Sequence, residues 1–193
     1  MKRNNLLNWL TLVFLVLTSI ATAVAAWYTW KQWITADDTE KRQVRAYAFP
    51  TPTGIKDFEL GKAPIGGIKV GTMGQTPAYK VRGEISVGGL PYPLRDDADL
   101  SFQKTGQIQN SAFISPNNAF FISAYAGGIL NQTTIDTIND GKKFRLYVWG
   151  RIDYEDVFAN LHWFTFCYAY DGNSVQGHDV VETCPRHNED DHH

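Results

Sequence analysis

The densest group of side chains able to do chemistry lies at residues 150–170, which read GRIDYEDVFANLHWFTFCYAY. Its carboxylates and its imidazole are Asp153, Glu155, Asp156 and His162. Once brought together, residues of these types bind metal ions or act as a general acid and base. Such a pair needs burial or a coupled partner to shift its pKa values, and carboxylates at a loop tip usually face water. We therefore interpret residues 154–161 as a polar hairpin loop and expect no catalytic or metal-binding residue there.

The sequence offers no other recognised catalytic motif. It contains no G-x-S-x-G nucleophile elbow, phosphate-binding loop, H-E-x-x-H zinc motif or C-x-x-C redox pair. The formal net charge is -2, so no basic surplus exists to neutralise nucleic-acid phosphates. Hydrophobic residues make up 44% of the chain, which is enough for a packed core. These observations predict a folded protein that is not an enzyme, holds no cofactor and binds no nucleic acid.

One stretch near the start is long and apolar enough to cross a membrane. Residues 6–30 read LLNWLTLVFLVLTSIATAVAAWYTW and carry no charge. At about 1.5 Å per residue, a helix of this length exceeds the roughly 30 Å hydrocarbon core of a bilayer. A cleaved signal peptide is the alternative, because residues 1–3 give a charged start, residues 6–17 an apolar centre and residues 23–25 an A-x-A pattern.

Aromatic residues at both ends of this stretch favour a retained anchor over a cleaved peptide. Such rings prefer the headgroup layer, and cleavage would leave several of them exposed at a new N-terminus. The positive-inside rule, applied to Lys2 and Arg3, places residues 1–5 in the cytoplasm and the rest of the chain outside. The expected membrane-interface residues are Trp9, Trp27, Tyr28, Trp30 and Trp33.

The chain beyond this anchor divides into a short stalk and a β domain. Residues 31–43 are polar and suit a juxtamembrane helix with acid–base pairs four positions apart. From residue 44 to 170, strand-like segments alternate with Gly, Pro and Asp, which is typical of an antiparallel β-sandwich. The expected strands lie at 44–49, 65–70, 78–87, 113–114, 120–125, 144–152 and 162–170. The predicted fold is mainly β: an antiparallel β-sandwich preceded by a single N-terminal transmembrane helix.

Local residue types add two details to this prediction. Gly66 and Gly67 inside the second segment indicate a bulge or an edge strand. Residues 133–140 form the single helical segment expected within the β domain, with Thr133 or Thr134 as its N-cap and Gly141 as its end.

Four motifs together carry a resemblance to a known group of proteins. They are GQTPA at 74–78, GRIDYEDVF at 150–158, HWFTFC at 162–167 and TCPRHNED at 183–190. In these the chain resembles a family of uncharacterised bacterial envelope proteins, mostly proteobacterial, with one N-terminal membrane helix and an extracytoplasmic immunoglobulin-like β domain. The resemblance implies a single-pass protein of the bacterial inner membrane, with its N-terminus cytoplasmic and its β domain periplasmic. It transfers no catalytic residues.

The two cysteines are Cys167, in the last predicted strand, and Cys184. In an oxidising compartment one pair in a chain most simply forms a disulfide, which would tie residues 171–193 back onto the sheet. Free thiols remain an alternative, as does a metal site of Cys184 with His178 and His187. Residues 186–193 read RHNEDDHH, which is typical of a solvated, mobile tail and less often of a weak metal site.

Three functions are compatible with these features. The first is a non-enzymatic, membrane-anchored module that contacts the lipid bilayer and binds a protein partner, as an accessory or assembly subunit of an envelope complex. The second is a carbohydrate or envelope-polymer binder, in which exposed rings stack on sugars. The third is a metal-binding protein or enzyme built on His162, His178 or the C-terminal residues. The rings considered for sugar stacking are Tyr92, Tyr125 and Trp163.

Overall fold

A computed structural model describes residues 2–102, 106–175 and 181–191, with side chains described from Trp9 onward except those of Asp38 and Arg42. The chain divides after Val44 into two compact units, an N-terminal helix and a β domain. The polar stalk continues the apolar helix, as the sequence predicts, and the two form one helix, α1, over Lys2–Val44. No proline or glycine interrupts it, which explains its continuity.

Helix α1 exposes its apolar side chains instead of burying them. Trp9, Leu12 and Phe14 are 70%, 63% and 66% exposed. Its hydroxyl groups are satisfied within the helix: Thr18 and Ser19 both donate to the Leu15 carbonyl, at 2.9 and 2.8 Å. Such bonds lower the cost of placing hydroxyls in hydrocarbon. The helix is long and apolar enough to span a membrane.

The polar end of α1 carries an ion pair predicted from the sequence. Lys41 Nζ lies 2.7 Å from Asp37 Oδ2, one helical turn earlier, and both side chains are half exposed. The second such pair, Asp38 with Arg42, lies outside the described side chains. Exposed pairs of this kind stabilise a helix by about 0.3–0.5 kcal/mol, so the pair supports the helix only modestly.

The β domain contains two antiparallel sheets. One has three strands in the order β1-β2-β5, and the other has five in the order β4-β3-β6-β7-β8. The strands are β1 Tyr47–Pro52, β2 Ile65–Met73, β3 Ala78–Pro91, β4 Gln107–Ile114, β5 Ala119–Tyr125, β6 Phe144–Glu155, β7 Leu161–Tyr170 and β8 Glu182–Thr183. Two helices, α2 Gln132–Asp140 and α3 Gly172–Val175, flank β6 and β7 in sequence.

The two sheets share one hydrophobic core. The three-stranded sheet contributes Ile68 and Ile122, which are 0% and 1% exposed, and the five-stranded sheet contributes Ile85, Val148 and Phe166, each 0% exposed. Burying each such side chain is worth about 1.5–3 kcal/mol. Burial of these apolar side chains between the sheets therefore supplies the main driving force for bringing the sheets together.

A second apolar cluster covers part of the opposite face of the five-stranded sheet. Trp149 is fully buried there, and its Nε1–H donates to the Ser101 carbonyl at 3.2 Å. The cluster comprises Leu94, Leu100, Tyr147, Trp149, Cys167, Ala169 and Cys184. The loop after β3 and the disulfide region thus bury rings that would otherwise face water.

The structure corrects three local predictions. Gly66 and Gly67 form neither a bulge nor an edge, because β2 is the central strand of its sheet. They permit close packing: a Cβ on Gly66 would lie 2.5 Å from Val148 Cγ2. Strand β4 begins at Gln107, well before the short segment predicted at 113–114. Asn131, not a threonine, caps α2, since its Oδ1 accepts from the Thr134 N–H at 2.8 Å.

Candidate functional site

The two cysteines form a disulfide at the edge of the five-stranded sheet. Cys167 lies in β7 and Cys184 follows β8; their Cα atoms are 5.3 Å apart and the residues are 17 positions apart in the sequence. The Cys184 N–H also donates to the Cys167 carbonyl at 3.0 Å. A bridge closing a loop of this size is worth about 3 kcal/mol. Since Cys184 is bonded to sulfur, it is not available as a thiolate ligand for a metal ion.

Residues 184–191, which we call the C-terminal strap, run along the open edge of β7. The Thr165 N–H donates to the Glu189 carbonyl at 2.7 Å, and the Asp191 N–H donates to the Trp163 carbonyl at 3.3 Å. The Cys167 N–H donates to Asn188 Oδ1 at 3.0 Å. These residues are polar, as the sequence predicts, but they are docked because the edge of β7 offers backbone groups that need partners. Residues 192–193 lie outside the described part of the chain.

A cluster of one buried histidine, one buried aspartate and one half-buried aspartate holds the end of the strap. His162, on β7, is 5% exposed. Its Nδ1 lies 2.7 Å from Asp191 Oδ2, and its Nε2 lies 3.0 Å from Asp156 Oδ2. Carboxylates only accept hydrogen bonds, so both contacts are satisfied together when both ring nitrogens carry protons. We call these three residues the Asp–His–Asp cluster.

Asp156 reaches this cluster from the turn between β6 and β7. The turn spans residues 156–160, shorter than the predicted loop of about eight residues. Asp156 is 2% exposed, so the expectation that the loop carboxylates face water is wrong for this residue. It accepts hydrogen bonds from the Phe158 and Asn160 N–H groups at 2.8 and 2.9 Å. Burial raises the pKa of Asp156, but hydrogen bonds from His162, Asn160 and Phe158 outweigh this and lower it.

The other carboxylates of the 150–170 stretch lie elsewhere. Asp153 pairs with Arg151 on the outer face of the sheet at 2.8 Å. Glu155 pairs with Lys80 at 2.8 Å. The structure therefore brings one of the three loop-region carboxylates to His162 and adds Asp191, which sequence reasoning missed because it is 29 positions away.

The geometry of the Asp–His–Asp cluster suits a structural role, in which it holds the C-terminal strap and the β6–β7 turn to strand β7. A general base needs a ring nitrogen facing substrate, whereas both nitrogens of His162 already contact carboxylates and the ring is buried. Among the described residues, no group of three His, Cys, Asp or Glu side chains has an arrangement that could hold a metal ion. His178, considered as a ligand from the sequence, lies outside the described residues.

A small cleft of about 200 Å³, lined by both polar and apolar residues, opens on the outer face of the five-stranded sheet. His187, from the strap, forms part of its wall, and burial lowers the pKa of this imidazole. The charged wall residues already have partners: Glu84 pairs with Arg82 at 2.6 Å, and Arg151 pairs with Asp153. The charges of Glu84 and Arg151 at the cleft wall are therefore each balanced by a neighbouring ion-pair partner.

The rings considered for sugar stacking differ in their surroundings. The Arg145 guanidinium lies 3.5 Å from the centre of the Tyr92 ring, and the Arg151 guanidinium lies 4.6 Å from the centre of the Trp163 ring. Tyr125 is 53% exposed. Tyr125 is therefore the exposed ring of the three, while Tyr92 and Trp163 are half-buried and each packs against an arginine.

The predicted membrane-interface residues all lie on α1 and are exposed. The Trp27 and Tyr28 rings meet edge to face at 5.1 Å, and Lys31 Nζ lies 5.0 Å from the Trp27 ring centre. At about 1.5 Å per residue, Trp9 and Trp27 are roughly 27 Å apart along the helix, and Trp9 and Trp30 roughly 32 Å. These separations match a hydrocarbon core of about 30 Å. Trp33 lies one turn further along and is 67% exposed.

Comparisons with protein-family profiles, with curated proteins and with solved structures found no match to this chain. The site is therefore interpreted from its own geometry.

Proposed function

We propose that this protein is a non-enzymatic, membrane-anchored module of the bacterial envelope, which presents its β domain outside the cytoplasm as an interaction or accessory subunit. One observation carries the proposal. Helix α1 exposes apolar side chains from Trp9 to Ile34, while the β domain buries a core of its own. An exposed apolar surface of this extent is unfavourable in water and favourable in a bilayer.

Two further features support the location. The Cys167–Cys184 disulfide fits an oxidising compartment, which in bacteria lies outside the cytoplasm. Lys2 and Arg3 precede the apolar run, which favours a cytoplasmic N-terminus. Together with the resemblance to envelope proteins, these features support an inner-membrane anchor with a periplasmic β domain.

We also infer that the β domain has an immunoglobulin-like topology. In that fold the first, second and fifth strands share one sheet, and the third, sixth and seventh share the other. The orders β1-β2-β5 and β4-β3-β6-β7 follow this division, with β4 added beside β3. The disulfide differs from the inter-sheet bridge of antibody domains, since it joins β7 to the segment after β8 within one sheet edge. Sandwich folds host many unrelated functions, so this topology is compatible with an interaction module but does not by itself assign one.

The test is a pull-down of the full-length protein from native membranes in mild detergent, with mass spectrometry of co-purifying proteins. The matched variant replaces residues 6–30 with an unrelated membrane anchor. A stoichiometric partner retained by the variant would place recognition on the β domain, and a partner lost from it would place recognition on α1. Absence of any partner in both samples would contradict the role as an interaction or accessory subunit.

A second candidate function, binding of an envelope carbohydrate, is favoured by two rings on β5. Phe121 and Tyr125 are 61% and 53% exposed and lie on the same side of the strand. Exposed rings on one face are the feature that stacks on sugars. Retention of the wild-type protein, but not of a Phe121→Ala, Tyr125→Ala double variant, on envelope polysaccharide would support it.

A further inference from the structure

A cleft of about 460 Å³ opens on the outer face of the three-stranded sheet. Ala48, Val70 and Ile122 point from this sheet into the core, so the residues that alternate with them on β1, β2 and β5 face outward. Clefts of roughly 300–1,000 Å³ are the usual size of small-molecule sites. The cleft is therefore large enough to hold a small ligand or one unit of a polymer.

Small residues and an aromatic ring form the floor of this cleft. Gly71 lies opposite Phe49 on β1 and opposite Ala119 on β5. The Phe49 ring lies over Gly71, where an added Cβ would come within 2.7 Å of its Cζ atom. A side chain at position 71 would displace this ring, so the glycine lets the ring pack on the sheet.

One row across the three strands combines different side-chain chemistries. Lys69 is paired in register with Thr51 on β1 and with Phe121 on β5. Directly opposed side chains have Cβ atoms about 4.5–5.5 Å apart. All three residues are exposed, and the Phe121 ring is 61% exposed. A hydroxyl, an ammonium group and an accessible aromatic ring thus stand side by side.

The turn between β4 and β5 adds two amides to the lining. Asn117 and Asn118 are both exposed at the cleft. Asn118 Oδ1 accepts from the Ala119 N–H at 2.9 Å, which holds this amide in place. Within the described chain, its Nδ2 donors have no partner. Side-chain amides donate and accept, so the pair suits a ligand that carries several hydroxyl groups.

Lys69 carries the only charge among the described residues that line the cleft. Other lysines of the β domain contact carboxylates, as Lys62, Lys80 and Lys142 do at 2.7–2.8 Å. No carboxylate of the described chain lies within ion-pair distance of Lys69. By charge complementarity, a lysine without an internal counter-charge favours an anionic ligand.

We propose that this cleft binds an acidic saccharide, in which a sugar ring carries a carboxylate. The apolar face of the sugar stacks on Phe121, and its carboxylate accepts from the Lys69 ammonium group. The amides of Asn117 and Asn118 bond to its hydroxyl groups. The proposal rests on the second candidate function, carbohydrate binding, and adds the charge of the ligand and the site that holds it.

An acidic peptide matches the cleft less well. A peptide that adds to a sheet uses main-chain groups at a strand edge. The polar groups of this cleft are instead side chains on the face of the sheet, next to an exposed ring. A compact ring with several hydroxyl groups can reach these side chains together.

Isothermal titration calorimetry on the full-length protein in detergent tests the charge of the ligand. The probes are trisaccharides of galacturonate, mannuronate and glucuronate, each compared with the neutral trisaccharide of the same hexose. We expect at least one acidic trisaccharide to bind about tenfold more tightly than its neutral counterpart, because it adds a charged hydrogen bond. Raising the salt concentration should reduce this preference.

Three results would overturn the proposal, and they separate it from the function on which it rests. Equal binding of acidic and neutral trisaccharides would exclude the charged ligand and leave carbohydrate binding in place. Absence of binding to every saccharide would exclude both. Tighter binding of triglutamate than of any acidic trisaccharide would assign the cleft to an acidic peptide.

Substitutions of exposed residues locate the site. Lys69→Ala should lower the affinity for the acidic trisaccharide about tenfold and leave that for the neutral one unchanged. Lys56→Ala is the matched control, since it removes the same charge from an exposed lysine outside the cleft. Phe121→Ala should weaken binding of both sugars, whereas Phe113→Ala, which removes a ring that is 55% exposed on β4, should weaken neither. Retention of the acidic preference in Lys69→Ala, or its loss in Lys56→Ala, would contradict this site.

Discussion

The Nδ1 atom of His162 lies 2.7 Å from Oδ2 of Asp191, a residue 29 positions later in the chain. This contact fixes the far end of the C-terminal strap to β7, while the Cys167–Cys184 disulfide fixes its start. The other ring nitrogen contacts Asp156 in the β6–β7 turn. One buried imidazole therefore joins the turn, the strand and the strap.

Removal of this imidazole should destabilise the β domain strongly. His162→Ala leaves the buried Asp156 carboxylate without the ring nitrogen 3.0 Å from its Oδ2, and leaving a buried polar group unsatisfied costs about 1–3 kcal/mol, or more for a charged group. The comparison is Asp153→Asn, which breaks an exposed pair with Arg151 and should cost less than about 1 kcal/mol. Urea denaturation of residues 45–193, which have their own core, measures both. Equal losses in the two variants would contradict a structural role for the Asp–His–Asp cluster.

The stability of the β domain should depend on acid pH through Asp156. Its folded pKa is lowered below the unfolded value of about 3.9. Its contribution is therefore complete above about pH 5 and disappears as the pH falls through the folded pKa. We expect the difference in unfolding free energy between wild type and Asp156→Asn to be largest near pH 6 and to shrink toward pH 3. His162 faces this carboxyl through Nε2 and contacts Asp191 through Nδ1, so Asp191→Asn serves as a second comparison. A difference that is constant with pH would refute this assignment.

The disulfide should contribute stability that reducing agents abolish. The double variant Cys167→Ser, Cys184→Ser should lose about 3 kcal/mol, which lowers the melting temperature by roughly 6–12 °C for a domain of this size. Dithiothreitol should lower the melting temperature of the wild type by a similar amount and leave that of the variant unchanged. Amide hydrogen exchange should also quicken at Thr165, whose N–H donates to the strap. A reduced wild type as stable as the oxidised form would contradict the role of the bridge.

Strand alternation made much of the β domain predictable from the sequence. Residues 78–87 and 144–152 alternate apolar and polar side chains, and both lie within observed strands, β3 and β6. The sequence predicts only the last residues of strand β4. In this strand Ile108 is exposed whereas Gln107 and Gln109 are half-buried, so the apolar residues do not mark the buried face. Polar side chains can lie inward at an open sheet edge, and composition alone does not reveal this.

The candidate site was harder to predict, because it depends on long-range contacts. The sequence predicts that Asp156 is an exposed loop carboxylate. In the structure the turn folds back, and the N–H groups of Phe158 and Asn160 donate to this carboxylate. The sequence predicts that Asp191 belongs to a solvated tail, because local sequence does not reveal its contact with Trp163 of β7. The disulfide was the one sequence feature that pointed to this return, since it requires the C-terminal segment to lie beside the strand.

Close contact between β3 and β6 should make Gly150 intolerant of any side chain. A Cβ at this position would lie 1.9 Å from the Glu84 carbonyl oxygen, which is backbone and cannot rotate away. Gly150→Ala should therefore cost at least about 2 kcal/mol through overpacking. Gly128→Ala, where no atom lies within 4 Å of the added Cβ, is the control and should be nearly neutral. Thermal denaturation of the two variants decides the point, and comparable melting temperatures would count against the packing described.

The most direct test of the central claim is the membrane topology of the full-length protein. The native cysteines are bonded to each other, so single cysteines added at Asn5 and at Ser123 can be labelled separately with a membrane-impermeant maleimide. In spheroplasts of a Gram-negative host, we predict that Ser123→Cys is labelled while the spheroplasts are intact. Asn5→Cys should be labelled only after lysis, and both variants should be in the membrane fraction. Protection of Ser123→Cys in intact spheroplasts, or recovery of the chain in the soluble fraction, would contradict an anchored module that faces outward.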